Sequence, residues 1–95
     1  MPLTEQQIKD QVAALTGWVY INGQIQKTYS LESFEAAIKL VNQIAMVAQN
    51  LNHHPDINIR YSKVTFMLST HDEDGVTQKD FDLAKAIEQA AVMNV

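Results

Sequence analysis

Ninety-five residues with a mass of 10.7 kDa leave room for one small domain, 1–95, and for no second lobe. At 46% hydrophobic and 19% charged residues, the chain has enough apolar side chains for one modest core and too few charges for a disordered tail. A net charge of −4 has the wrong sign for direct nucleic-acid binding, and the lack of cysteine removes disulfides, zinc–thiolate clusters and thiol nucleophiles.

The polar, acidic start from Met1 to Asp10 lacks the basic and apolar regions of a signal peptide. No run reaches membrane-spanning length, so the expectation is a cytoplasmic protein without membrane association. Thr4 with Gln7 reads as a capping box, and Ile8, Val12 and Leu15 follow at helical spacing until Gly17. Trp18 to Ile21 and Ile25 to Tyr29 flank Asn22-Gly23, a dipeptide that accepts the positive φ angles of a two-residue hairpin turn. That loop pairs Tyr20 with Ile25 and Trp18 with Lys27, and puts Trp18, Tyr20, Ile25 and Tyr29 on the core face.

Ser30 or Ser33 caps the next helix, whose face of Phe34, Ala37, Ile38, Val41, Ile44, Ala45 and Ala48 is expected to pack on the sheet. A second stripe, Ala36, Leu40, Val47 and Leu51, exceeds what one contact covers, so a partner helix from a second copy is expected over it. After Pro55, Ile57, Ile59 and Tyr61 alternate with polar residues, as do Val64, Phe66 and Leu68 with Thr65, Met67 and Ser69, which predicts two more strands. A polar loop, His71 to Gly75, leads to a second capping box, Thr77 with Asp80, and a helix carrying Phe81, Ala84, Ile87 and Ala91. The order helix-strand-strand-helix-strand-strand-helix predicts an α+β domain.

The chemistry-bearing residues gather at element ends: His53 and His54 just past the second helix, His71 after the fourth strand. Imidazolium beside a helix C-terminus is favoured by about 0.3–1 kcal/mol through the macrodipole, which alone would explain the first two. Three imidazoles meeting in one cleft would instead supply proton donors and acceptors near neutral pH, as general acid–base catalysis requires. A metal site ranks lower, because adjacent histidines seldom aim at one ion and no paired-ligand helix motif is present. A calcium loop fails: with Gly75 at the invariant glycine, Thr70 and Phe81 occupy the two end-ligand positions. Asp80 has a sufficient structural reading as the reciprocal member of its capping box.

The segment Gln49-Asn50-Leu51-Asn52-His53-His54-Pro55, then Tyr61, Ser69-Thr70-His71-Asp72, Gly75, Thr77 and Asp80 resembles the pterin-4a-carbinolamine dehydratase family. The resemblance covers essentially the whole chain. It implies a four-stranded antiparallel sheet with three helices on one face, assembly into homodimers or homotetramers, and removal of water from a 4a-hydroxytetrahydropterin to give the quinonoid dihydropterin, with no metal or organic cofactor. It implies His53, His54 and His71 as catalytic residues. Asn52, Pro55, Ser69, Thr70, Asp72 and Asp80 would bind the pterin substrate. Gln49 and Asn52 stand where the family often has acids, and neutral amides there would stabilise an imidazolium less. Animal relatives also resemble a dimerisation partner of a homeodomain transcription factor, so a non-enzymatic interaction module is the alternative.

Overall fold

Asn22 and Gly23 take left-handed backbone, φ 55° and 77°, and close β1 (Val19–Ile21) against β2 (Gln24–Ser30) with Tyr20 opposite Ile25. The computed structural model describes residues 2–93. Before this hairpin, α1 (Glu5–Ala13) begins with both reciprocal bonds of the Thr4–Gln7 capping box. After it come α2 (Phe34–Leu51), capped by Ser33 rather than Ser30, then β3 (Asp56–Arg60) and β4 (Lys63–Leu68). A short 3-10 helix, His71–Glu73, precedes α3 (Gln78–Met93). Tyr61 is not a strand residue: at φ 56° it forms the β3–β4 turn and is largely exposed.

All strand pairs are antiparallel, in the order β1-β2-β4-β3. This puts the two β-hairpins side by side through β2 and β4, with Ile25 opposite Leu68 and Lys27 opposite Phe66. Ile25, Val64, Phe66 and Leu68 therefore point to one face, where Ile8, Trp18, Leu40, Ile44, Phe81, Leu83 and Ile87 complete the core under the three helices. Each such side chain withdrawn from water contributes roughly 1.5–3 kcal/mol. Trp18 is buried and Tyr20 and Tyr29 are half-buried against this core, on the face their alternation assigns.

The second helix is buried along a different arc from the expected one. Ala37, Leu40, Ile44 and Ala48 are its buried residues, whereas Phe34 is 50% exposed and Ala45 is exposed. The reason is that α2 lies against α3 as well as the sheet, so a helix of the same chain covers Leu40 and half-buries Val47. The expected role of Leu40 in covering a second copy is thereby removed. On another side α2 carries the stripe Phe34, Ile38, Val41 and Ala45, of which Phe34 and Ala45 are exposed and Ile38 and Val41 half-buried, and Met46 and Leu51 are exposed on the same helix.

Away from the strand ends, Glu88 of α3 ties the helix to the first hairpin. Trp18 Nε1 at 2.9 Å, Lys27 Nζ at 2.6 Å and the Tyr29 hydroxyl all donate to its Oε1. Lys27 also donates to the Thr16 carbonyl and sits 4.7 Å from the centre of the Tyr29 ring. Among the described residues no helix is long and apolar enough to cross a membrane.

Candidate active site

The left-handed stop of α2 presents the first two histidines. Asn52 adopts φ 52°, a conformation asparagine tolerates better than most residues, and its N–H closes onto the Ala48 and Gln49 carbonyls. The His53 N–H then donates back to the Ala48 carbonyl at 3.1 Å, which turns the chain sharply out of the helix. His53 and His54 consequently face different partners. His53 Nε2 lies 2.5 Å from Asp80 Oδ1, with 12% of the histidine side chain exposed and none of the aspartate. His54 is exposed, and its Nε2 donates to Gln49 Oε1 at 3.0 Å.

Asp80 is fully buried, and its second oxygen organises the polar floor below His53. Oδ2 accepts the Thr77 N–H at 2.9 Å and the Thr70 hydroxyl at 2.9 Å, while the two threonine hydroxyls stand 2.7 Å apart. A hydroxyl has one proton, and Thr70 gives its own to the carboxylate, so Thr77 donates to Thr70. The result is a directed chain from Thr77 through Thr70 and Asp80 to His53. The capping box supplies only its acidic half here: Asp80 takes the Thr77 N–H, but the Thr77 hydroxyl accepts from the Lys79 N–H at 3.3 Å rather than from residue 80. Buried acceptors of this kind are strongly destabilising when left unpaired, and none of the buried side-chain polar atoms among the described residues is unpaired.

Beside this floor lies a hollow of about 260 Å³ lined by Asn52, His53, His54, Ser69, His71 and Asp72. The structure thus brings all three histidines to one cleft, with His71 exposed at the start of the 3-10 helix. Three residues expected to bind substrate sit elsewhere. Thr70, at 2% exposure, and Asp80, at 0%, are turned into the floor, because the Thr70–Gly75 bridge directs that side chain inward. Pro55 follows the cleft into β3 without lining it. The contribution of Thr77 escaped the sequence, where its three-residue spacing to Asp80 signals a helix start and nothing of Thr70 or His53. Among the described residues no group of three His, Asp or Glu is arranged to hold a metal ion.

Three imidazoles share one cleft of an α+β domain, one of them bonded to a buried carboxylate, and these are group types that general acid–base chemistry uses. The particular family follows from comparison with known proteins: residues 1–90 match the model described as pterin 4 alpha carbinolamine dehydratase, and the chain belongs to that family. A relative from Herpetosiphon aurantiacus, provisionally named a pterin-4-alpha-carbinolamine dehydratase, is 57% identical over 74 residues, covering 78% of this chain and 77% of its own. One from Sulfolobus acidocaldarius, named in the same provisional way, is 41% identical over 92% of this chain and 96% of its own. A crystal structure titled transcriptional coactivator/pterin dehydratase, from Brucella melitensis, superposes with a TM-score of 0.90 at 32% identity, covering 96% of this chain and 99% of that one. The fold also recurs, at TM-score 0.64 and 15% identity over 78% of this chain and 86% of that one, in a pterin dehydratase-like RuBisCO assembly factor of the alpha-carboxysome.

Proposed function

We propose that the protein dehydrates a 4a-hydroxytetrahydropterin to the quinonoid dihydropterin, the step that returns a spent pterin cofactor to its recycling route. The C4a–O bond breaks and the oxygen leaves as water with a proton from an acid. The N5–H proton passes to a base, and its electron pair forms the C4a=N5 bond. Nothing is oxidised or reduced, so two proton-transfer groups suffice. The observation that carries this reading is the bond between His53 and the buried Asp80 at the floor of a cleft that also holds His54 and His71.

The carboxylate of Asp80 occupies Nε2 of His53, leaving Nδ1 as the ring nitrogen free for substrate. His53, fixed in place by that bond and lining the cleft, is the residue we assign to give a proton to the departing hydroxyl. His54 has only a neutral amide beside it and His71 stands in solvent, so these two are the candidates for the base. Asn52, Ser69 and Asp72 complete the wall against which the pterin ring would lie. Following the absorbance of a carbinolamine pterin, with purified protein against the spontaneous rate, tests the proposal; no acceleration would refute it.

A second reading, an interaction module, draws support from the coactivator half of the Brucella protein's title and from the amide at Gln49. It predicts a folded protein that leaves the spontaneous rate unchanged. Self-association, in dimers or tetramers, is proposed through the apolar stripe Phe34, Ile38, Val41 and Ala45.

A further inference from the structure

The loop that carries His71 is closed on itself. The Thr70 N–H donates to the Gly75 carbonyl at 2.8 Å, the Glu73 N–H to the Thr70 carbonyl at 3.0 Å and the Asp74 N–H to the His71 carbonyl at 3.2 Å. Those bonds give the loop its shape, but they do not set where it stands against the helices. From outside, the Lys79–Glu73 ion pair reaches it at 3.7 Å with 61% of the lysine side chain exposed, and so wet a pair holds little. A firmer contact comes from the segment ahead of α1: the Leu3 N–H donates to the Val76 carbonyl at 2.8 Å, where the chain leaves the loop for α3.

Resting on the dehydratase reading, we infer that Pro2 and Leu3, with α1 behind them, form a brace that holds the His71 loop and Thr77 in register with His53. Both are then positioning residues for the reaction, although neither lines the cleft.

The sequence builds this brace from short-range rules. The ring of Pro2 fixes its φ, so the chain arrives at Leu3 with little freedom left. Leu3 precedes the Thr4 cap and Ile8 follows the Thr4–Gln7 box, the spacing at which a hydrophobic pair fixes the angle of entry into a helix; Ile8 is buried and Leu3 packs against the core. Further along α1, Gln11 Nε2 donates to Gln78 Oε1 at 3.0 Å. The brace thus grips the chain at residues 76 and 78, on either side of Thr77, whose hydroxyl begins the directed chain to His53.

Gly75 is an independent sign that the contact is close. Its φ is not positive, unlike those of Gly17 and Gly23, so no dihedral requires a glycine there. Space does: a methyl group on Gly75 would stand 3.1 Å from Pro2 Cβ and 3.5 Å from its Cγ, and, chain neighbours aside, no other described residue comes within 4 Å of it. The missing side chain is what lets Pro2 lie on the loop.

The test uses Gly75→Val, the double variant Pro2→Gly with Gly75→Val, and Gln11→Leu, each checked for folding by a thermal melt. Valine at 75 pushes Pro2 off the loop, and glycine at 2 removes the ring it strikes and lets Leu3 return to Val76. Native-state hydrogen exchange of the Thr70 and Asp74 amides reads the loop directly, with the Phe66 amide of the central strand β4 as control. The expected result is exchange about tenfold faster at both loop amides in Gly75→Val, unchanged at Phe66, and back near the native rate in the double variant. Gln11→Leu, which removes the second grip, should loosen the same amides by a smaller factor, and it carries the test if valine at 75 unfolds the chain. In Gly75→Val, kcat should fall about tenfold at a KM within about twofold of the native value, and recover in the double variant. Loop exchange unchanged in both Gly75→Val and Gln11→Leu, a native kcat in a variant whose loop is loosened, or a loss that Pro2→Gly does not recover, overturns the inference. A native protein that does not accelerate the dehydration refutes the dehydratase reading instead, and the loop amides still decide whether the brace holds.

Discussion

His53 and Asp80 lie 27 residues apart in the chain and 2.5 Å apart in the fold, and the aspartate is fully buried. The pair makes the two substitutions unequal. Asp80→Asn can offer its single carbonyl oxygen either to Thr70 and Thr77 or to His53; serving the threonines leaves an amide N–H facing the imidazole, which imposes the other tautomer. We expect a rate loss of about 10²–10⁴-fold, within the range for disabled acid–base groups. Rate against the spontaneous reaction, together with a thermal melt, checks it.

His53→Ala and His54→Ala should separate in stability although both lower the rate. The first leaves a buried carboxylate without its imidazole and is expected to cost about 1–3 kcal/mol of folding stability as well as activity. The second removes an exposed ring that is hydrogen-bonded to the exposed amide of Gln49, and is expected to lower the rate at nearly unchanged stability. Denaturant titrations of the two variants beside their kinetics decide the matter.

Local signals were the legible part of this fold. The Thr4–Gln7 box, the Asn22-Gly23 turn and the alternation of Val64, Phe66 and Leu68 each lie within a few residues and fix backbone geometry directly. Asp80 was half-legible: its capping bond to Thr77 is local, but the oxygen it gives to His53 depends on α3 docking beside the end of α2. The buried arc of α2 is not legible for the same reason, since a helical projection shows which residues share a face and not that α2 packs on α3. The three donors on Glu88 come from 59 to 70 residues away, beyond any spacing rule.

Thr70→Val tests the floor of the site without touching its wall. Valine keeps the shape but removes the donor to Asp80 and the acceptor for Thr77, so a carboxylate with one bond fewer should hold the proton of His53 more tightly. The pH–rate profile is expected to move upward and Thr70→Ser to restore it. A profile that stays put with reduced stability would mean the threonine serves packing alone.

Gln49→Glu acts on the other histidine. Position 49 reaches His54 at 3.0 Å, and a carboxylate there favours the protonated ring, so the imidazole should titrate at higher pH in the variant. A histidine NMR titration reads this directly, and the kinetic limb governed by His54 should shift with it.

The Glu88 cluster sets a pH window for stability. Burial raises the proton affinity of this carboxyl, but hydrogen bonds from Lys27, Tyr29 and Trp18 outweigh it and hold the group below its ordinary value. A lowered folded value stabilises the protein above the ordinary carboxylate range and is lost as pH falls through the folded value. Burial first, then Glu88, pushes the Tyr29 phenol the other way, so its contribution is lost as pH rises above about 10. Glu88→Gln should lower stability at neutral pH by about 1–3 kcal/mol and flatten the acid limb of a Tm–pH curve.

The last prediction separates the two faces of α2. Leu40 is fully buried between the sheet and α3, so Leu40→Glu puts a carboxylate into the core and should unfold the chain rather than divide an assembly. Ala45 lies on the stripe with Phe34, Ile38 and Val41, positions spaced by four, three and four residues along one side of the helix. A small residue at the C-terminal end of the stripe lets a second helix approach closely there, and a two-fold pairing of identical stripes closes on itself. Ala45→Glu should therefore keep the native melt while shifting sedimentation to the monomer. If the native protein already sediments as a monomer at micromolar concentration, or Ala45→Glu leaves the assembly whole, this stripe is not where copies meet.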